Sequence, residues 1–230
     1  MFHLTPEQTA KKIVAYCTQK EIKYLFISGN GASGKTELSK IICQIAGSEG
    51  VVNIIDMDDF VVDTKLRSNA KIEWTDSRTG EIRSGKYSTI FSASYFLQNI
   101  KAILCNLERG NNYWYWPKKA KSFDDCHKEL QSNAVLTVVE GIGSVYLEKD
   151  PTNSLSIFIR CSKEIEIDRR VNRARFSNEQ NRDDVEKQYE ERNSQFEAII
   201  LPHASSHNLI LESLADYSFE IRKDEFNVFQ

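Results

Sequence analysis

Short apolar runs alternate with helical patterns along most of the chain. The helical pattern covers residues 6–19, 35–46, 92–107, 162–175 and 183–199. Apolar runs at residues 24–28, 51–55, 135–139, 155–159 and 209–211 predict strands, and residues 217–221 are a candidate edge strand. Runs without a polar face are typical of buried parallel strands. The alternation therefore predicts an α/β fold: a mostly parallel five-stranded sheet with helices on both faces.

One long segment, residues 61–128, does not follow this alternation. Its residues 78–81, Arg-Thr-Gly-Glu, predict a hairpin turn, and a single helical pattern lies further along. We therefore expect one domain over residues 1–230, in which 61–128 is an elaborated insert.

Charge, cysteine content and the lack of long apolar runs indicate which partners and which cellular location to expect. Among 230 residues, 30 Lys and Arg stand against 33 Asp and Glu, a net charge of −3, so no overall positive field attracts nucleic acid or anionic lipid. The five cysteines are far apart and show no metal-ligand spacing. No signal-peptide pattern and no run of 18 apolar residues is present. We expect a reduced, cytoplasmic protein without a nucleic-acid or membrane partner.

The first strand ends in a glycine-rich loop that carries the strongest motif of the chain. The residues are Gly29, Asn30, Gly31, Ala32, Ser33, Gly34, Lys35 and Thr36, a full match to G-x-x-x-x-G-K-[ST]. In such a loop, backbone N–H groups and the lysine bind phosphates and the Thr hydroxyl ligates Mg²⁺. A simple glycine turn is the alternative, but it gives no reason for Lys35 followed by Thr36. The motif predicts ATP or another nucleoside triphosphate with Mg²⁺.

Two further patterns favour a kinase over other users of this loop. The sequence contains no N-K-x-D, which GTPases use for guanine, and no apolar run that ends in Asp-Glu, which is typical of motor ATPases. A kinase of this kind needs a carboxylate that orients the acceptor hydroxyl and takes its proton.

Carboxylates follow two predicted strands at the edge where ligands bind in open α/β sheets. Asp56, Asp58 and Asp59 follow the second strand, and Glu140 ends the third. Asp58 is our candidate base, and Glu140 our candidate for holding Mg²⁺ with Thr36. The alternatives are solvated loop acids or a helix N-cap for the aspartates, and a structural acid for Glu140.

Several further segments follow the phosphate loop in a recognisable order. They are Asp58-Asp59-Phe60, Val139-Glu140-Gly141-Ile142, Asp168 to Arg173, Arg182-Asp183, Gln188-Tyr189, Leu201-Pro202 and Asn208-Leu209-Ile210. Together with the loop, they resemble the uridine kinase and phosphoribulokinase-like family of P-loop kinases. The resemblance covers most of residues 22–212 and implies a P-loop NTPase fold with a lid at 162–182. It also implies ATP-dependent phosphorylation of a primary hydroxyl, in the best-known members that of uridine or cytidine.

The resemblance also implies roles for single residues. Asp58 matches the catalytic base, Arg170 and Arg173 match arginines of the lid, and Arg182 matches a substrate-side arginine. Since 170 and 173 share one face of the predicted helix, they suit phosphoryl oxygens. A solvated basic helix face is the alternative.

The sequence says less about which molecule accepts the phosphoryl group. Tyr113 and Tyr115 match aromatic positions that wall the base in the family, but alternating aromatics also fit an edge strand packed on the core. Residues 86–92 do not match the family's F-D-H-P, whose Asp holds ribose hydroxyls. A glycerate, pantothenate or sugar kinase is therefore an open alternative, and a nucleotide-sensing or nucleic-acid-associated module a more distant one. Family members are often oligomers, so a homo-oligomer is also expected.

Overall fold

The structure, a computed structural model, describes residues 3–118, 128–172 and 182–229. No helix within these ranges is long and apolar enough to cross a membrane. The elements in chain order are β1 His3–Leu4, α1 Pro6–Gln19, β2 Tyr24–Gly29, α2 Lys35–Ala46, β3 Val52–Asp56, α3 Thr64–Asn69, β4 Lys71–Thr75, β5 Ile82–Lys86, α4 Leu97–Glu108, β6 Tyr113–Tyr115, β7 Lys128–Leu130, β8 Leu136–Glu140, β9 Ser154–Arg160, α5 Lys163–Val171, α6 Arg182–Ile199, β10 Leu209–Ser213 and β11 Phe219–Asp224.

Five parallel strands make up most of the main sheet, in the order β10, β9, β2, β8, β3, with β3 at one edge. They are the five predicted strands, which confirms the mostly parallel α/β fold. Two antiparallel strands, β11 and then β1, extend the sheet beyond β10 to seven strands within the described ranges. The expected edge strand is β11, but β1 covers its outer side. A two-residue strand is too short to show any periodicity in the sequence.

Helices cover both faces of this sheet, as predicted. Neighbouring residues Leu25 and Phe26 of β2 point to opposite faces, as the pleat of a strand requires. Leu25 packs in the cluster formed with α1 and α2, whereas Phe26 belongs to the cluster that contains Ile100 of α4. Further along this second face, Phe158 of β9 contacts Phe196 of α6. Burying each of these side chains contributes about 1.5–3 kcal/mol to folding.

The insert contains a hairpin that packs on α6. Strands β4 and β5 pair antiparallel, and Gly80 in the turn has a φ of +73°, which confirms the predicted turn. Asp76 is buried and accepts a hydrogen bond from the Ser194 hydroxyl of α6 at 3.0 Å. Trp74 Nε1 donates to the same hydroxyl at 3.0 Å. Buried polar groups require such partners, so this network holds the hairpin against α6.

Within its described residues, the insert contains two helices where the sequence pattern predicts one. Helix α3 is too short to show a helical periodicity, and the predicted helix begins later than expected. Helix α4 starts at Leu97 rather than at residue 92. The preceding residues Ser92–Ser94 form a 3-10 turn, and Tyr95 is extended and pairs with Val61. Pairing with a distant segment thus overrides the local helical periodicity.

Candidate active site

The glycine-rich loop joins β2 to α2 at the carboxyl edge of the parallel strands. Gly29 has a φ of +133°, and a Cβ there would lie 1.7 Å from the Ile159 carbonyl oxygen, so only glycine fits. Within the loop, the Ser33 hydroxyl donates to the Asn30 carbonyl oxygen at 3.0 Å. Gly34 precedes α2 and supplies no side-chain cap. The first N–H groups of α2 therefore suit an anion such as a phosphate.

The Lys35 ammonium lies inside this loop. It donates to the carbonyl oxygen of Gly29 at 3.2 Å and to that of Asn30. Burial lowers the pKa of Lys35, whereas the nearby carboxylates of Glu140 and Glu166 raise it. The carbonyl dipoles of the loop thus hold the Lys35 ammonium in the region where the phosphate oxygens of a bound nucleotide are expected.

Helix α5 holds the loop through two side chains that the sequence analysis missed. Arg169 is buried and donates to the Ala32 carbonyl oxygen at 3.0 Å and to the Ser213 hydroxyl at 2.9 Å. Glu166 accepts a hydrogen bond from Asn30 Nδ2 at 3.3 Å. These contacts join segments that are far apart in the chain, so no local sequence pattern marks them.

Two oxygen-bearing side chains meet where α2 begins and β8 ends. The Thr36 hydroxyl donates to Glu140 Oε1 at 3.1 Å. Glu140 is buried, which raises its pKa, while Lys35 lowers it. Mg²⁺ prefers such oxygen ligands and needs only one or two protein carboxylates, because it keeps several waters. The pair therefore fits Mg²⁺, although the described ranges hold no cluster of three or more His, Cys, Asp or Glu side chains arranged for a metal.

Asp58 stands on a 3-10 turn directly after β3. Its backbone N–H donates to the Asp56 carboxylate at 2.9 Å, so Asp56 caps the turn. The Asp58 side chain itself is exposed. Its negative charge acts on Lys35, Glu140 and Arg192. The candidate base therefore lies within electrostatic range of Glu140 of the candidate metal pair and of Lys35 in the phosphate loop. We refer to this region, at the carboxyl edge of the parallel strands, as the cleft.

Asp59 and the two predicted substrate tyrosines, Tyr113 and Tyr115, lie in a region that packs on the core. The buried Tyr115 hydroxyl donates to Asp59 Oδ2 at 3.2 Å, and the Lys118 backbone N–H donates to Asp59 Oδ1 at 3.2 Å. The Tyr115 ring lies 5.0 Å from the Phe60 ring, and Tyr113 packs on the same apolar cluster. Burial and Asp59 raise the pKa of Tyr115. These contacts match the interpretation of a strand packed on the core; contact with a substrate stays a prediction.

The three predicted arginines have different positions. Arg170 Nε donates to Glu166 Oε1 at 2.9 Å, and a Cβ at Gly31 would lie 2.1 Å from Arg170 Nη2. Arg170 therefore lies directly against the phosphate loop. Arg182 is exposed and pairs with carboxylates of α5 and α6 rather than with the loop. Arg173 lies outside the described residues.

A further arginine reaches the cleft from α6. Arg192 is half-buried, and its Nη2 donates to the Thr89 hydroxyl at 3.2 Å. It lines a narrow pocket together with Gly31 of the phosphate loop and Glu166 of α5. Helix α6 carries many charged residues, and the sequence offers no signal that this one points inward.

Comparisons with known proteins agree with this arrangement. The family model described as phosphoribulokinase / uridine kinase family matches residues 25–220. No curated protein sequence matches the chain.

Solved structures of low sequence identity share the fold. D-glycerate 3-kinase from Cryptococcus neoformans has a TM-score of 0.61 and 10% identity, with 94% of this chain and 97% of that chain covered. Phosphoribulokinase from Rhodobacter spheroides has a TM-score of 0.56 and 14% identity, with 91% and 74% covered. The YGR205w protein has a TM-score of 0.63 and 11% identity, with 95% and 99% covered.

The structures show the P-loop kinase fold, and the family match extends beyond the phosphate loop to the segments that carry Asp58, Glu140 and Arg170. The resemblance seen in the sequence is thereby confirmed. This chain belongs to the phosphoribulokinase / uridine kinase family of P-loop kinases.

Proposed function

We propose that the chain transfers the γ-phosphoryl group of ATP to a hydroxyl of a small molecule. The observation that carries this proposal is the convergence of Asp58 and the Thr36–Glu140 pair on one phosphate loop. Phosphoryl transfer needs a proton acceptor, metal ligands and hydrogen-bond donors that bind the phosphates, all within one cleft. Membership of a kinase family supports the same reaction class.

In the proposed reaction Asp58 is the base. The acceptor hydroxyl gives its proton to an Asp58 carboxylate oxygen as its own oxygen bonds to the γ-phosphorus. The bond from that phosphorus to the β–γ bridging oxygen breaks, and ADP leaves. Lys35 and the loop N–H groups hold phosphate oxygens, and Arg170 and Arg173 donate hydrogen bonds to phosphoryl oxygens from the lid. Thr36 and Glu140 would hold Mg²⁺, which neutralises phosphate charge when bound.

Two acceptor classes follow from different observations. The sequence resemblance favours a nucleoside, uridine or cytidine, bound by Tyr113, Tyr115 and Arg182. The packing favours an alcohol without a nucleobase, such as glycerate, pantothenate or a sugar. Tyr115 is engaged by Asp59, and Ser88, where the family's ribose-binding motif would lie, donates to Gln195 of α6. D-glycerate 3-kinase also shares the fold.

The proposal is tested by ADP formation from ATP and Mg²⁺ with separate pools of nucleosides, hydroxy acids, sugars and sugar phosphates. At least one pool should stimulate the wild type, and Asp58→Asn should be slower by at least about 100-fold because a positioned base contributes that much. ATP binding, measured by calorimetry, should be unchanged in this variant. Normal turnover by Asp58→Asn, or loss of ATP affinity together with turnover, would remove Asp58 from the role.

Asp63→Asn is the matched control. Asp63 is exposed and accepts the Lys65 backbone N–H at 2.8 Å at the start of α3. Asparagine caps a helix about as well as aspartate, so this variant should turn over like the wild type.

A cytoplasmic location, self-association and the absence of a nucleic-acid partner stay predictions from the sequence. Light scattering of the purified chain tests the second of these.

A further inference from the structure

The pocket beside the phosphate loop contains a cation without an acidic partner among the described residues. Arg192 is half-buried, and within those ranges no Asp or Glu oxygen lies within 4.0 Å of its guanidinium. Its hydrogen bond goes instead to the neutral hydroxyl of Thr89, at 3.2 Å. Burying a positive charge without an anion is costly. A site that keeps such a charge is arranged for an anion supplied from outside.

The charged groups around Arg192 do not supply this anion. Glu166 acts on it, but both Glu166 oxygens are already engaged, one by Arg170 at 2.9 Å and the other by Asn30 at 3.3 Å. Arg170 opposes the charge of Arg192, and Asp58, which is exposed, favours it. Arg170 is therefore neutralised by its own partner, whereas Arg192 leaves a net positive charge in the pocket.

The walls of this pocket strengthen its effect. One side of it is apolar and consists of Ile90, Ile142 and Phe196. Besides Arg192, the rest of the lining comprises Gly31, Glu166, Tyr189 and Asn193. Apolar walls lower the local dielectric constant, so a charge pair formed there is stronger than one in open water. A guanidinium is also the side chain best suited to bind carboxylate or phosphate oxygens in pairs.

We propose that Arg192 binds an anionic group of the acceptor, so that the acceptor is a hydroxyl compound carrying a carboxylate or a phosphate rather than a neutral nucleoside. This inference rests on the proposed function and assigns the acceptor class of the same site. Arg192 then selects the acceptor through a group away from the reacting hydroxyl, which lies next to Asp58.

Matched acceptors that differ in charge test this proposal. The pairs are glycerate and glycerol, pantothenate and pantothenol, and ribose 5-phosphate and ribose, with uridine and cytidine as neutral nucleosides. The wild type should use at least one anionic member with a kcat/KM about 100-fold or more above its neutral counterpart. The carboxylate and phosphate pairs show which anion is bound.

Substitution of Arg192 is the second test of this proposal. Arg192→Met should lower kcat/KM for the anionic acceptor by about 100-fold and leave the KM for ATP within about threefold. Arg192→Lys keeps the charge but not the paired donors, so its kcat/KM for the anionic acceptor should lie between those of the wild type and Arg192→Met. Lys187→Met removes an exposed charge from the same helix and should behave as the wild type.

The outcomes separate this inference from the proposed function. If no pool stimulates ADP formation, the proposed function fails and this inference fails with it. If the wild type uses nucleosides or polyols as well as their anionic counterparts, the kinase proposal stands and the role of Arg192 is wrong. An equal loss for all acceptors, or a raised KM for ATP, in Arg192→Met would assign the residue to the nucleotide or to the fold. If that variant does not fold, Arg192→Lys and the wild-type preference decide.

Discussion

Thr36 and Glu140 are 104 residues apart in the chain, yet the hydroxyl of one lies 3.1 Å from the carboxylate of the other. The contact exists because β2 and β8 are parallel neighbours, which brings the start of α2 next to the end of β8. It defines the point where a metal ion would meet the phosphate loop.

Glu140→Gln should lower turnover by about 100-fold or more and raise the Mg²⁺ concentration needed for half-maximal rate. The neutral amide keeps the size of the side chain but removes the charge that a hard cation prefers. Since burial disfavours the ionised carboxylate and raises the pKa of Glu140, the melting temperature should be unchanged or higher. Mg²⁺ titrations of the rate and thermal melts measure both effects, with the exposed Glu148→Gln as control. An unchanged Mg²⁺ requirement would contradict the metal role.

Gly29→Ala should destabilise the fold by more than about 3 kcal/mol. Its Cβ would lie 1.7 Å from the Ile159 carbonyl oxygen at a φ of +133°, so strain and overlap add. Gly80→Ala is the matched control, because Gly80 also has a positive φ, +73°, but meets nothing within 4 Å. It should cost about 1 kcal/mol. Urea unfolding of both variants gives the comparison, and equal costs would contradict the close approach at Gly29.

Arg169→Met should raise the KM for ATP by about tenfold and lower the free energy of unfolding by about 1–3 kcal/mol. The variant keeps the apolar stem but loses the hydrogen bonds to Ala32 and Ser213 that hold the phosphate loop. ATP titrations of the rate and urea unfolding measure the two effects. Arg222→Met, which removes two ion pairs of β11, should leave the KM for ATP unchanged. An unaltered KM in Arg169→Met would show that the loop keeps its shape without this anchor.

Stability should fall in acid through His207. This ring is buried, its Nδ1 donates to the His203 carbonyl oxygen at 2.8 Å, and burial lowers the pKa of His207 from 6.5 to about 4. Because the unfolded chain binds the proton first, this contribution is intact above pH 6.5 and is lost as the pH falls towards 4. The loss should reach about 3 kcal/mol.

Urea unfolding between pH 7 and pH 4 measures this loss. His207→Asn cannot take up the proton, so its stability should depend less on pH by about the same amount, whatever its absolute stability. Parallel pH curves for the two proteins would contradict the role of His207.

The parts of the site that follow from local sequence were predictable. The phosphate loop is a contiguous motif. Asp58 closely follows one apolar run and Glu140 ends another, so one parallel sheet brings them together. The hairpin turn also followed from local residues, because Gly80 supplies the positive φ that the turn needs.

The parts that depend on packing were not predictable. Glu166 and Arg169 reach the phosphate loop only because α5 crosses it, and Arg192 enters the cleft only because α6 lies across the insert. Tyr115 matched a family position, but its hydroxyl meets Asp59, a contact that depends on how β6 packs beside the turn after β3. In each case the deciding partner is distant in the chain.

The fate of the γ-phosphoryl group of ATP distinguishes a kinase from an ATPase in a single experiment. The purified chain is incubated with ATP labelled on the γ-phosphate, Mg²⁺ and the acceptor pools, and the products are separated and identified by mass spectrometry. We expect label in a phosphorylated hydroxyl compound, formed in amounts equal to ADP and at least about 100-fold more slowly with Asp58→Asn. Label found only in inorganic phosphate, at a rate independent of every acceptor, would contradict the kinase proposal.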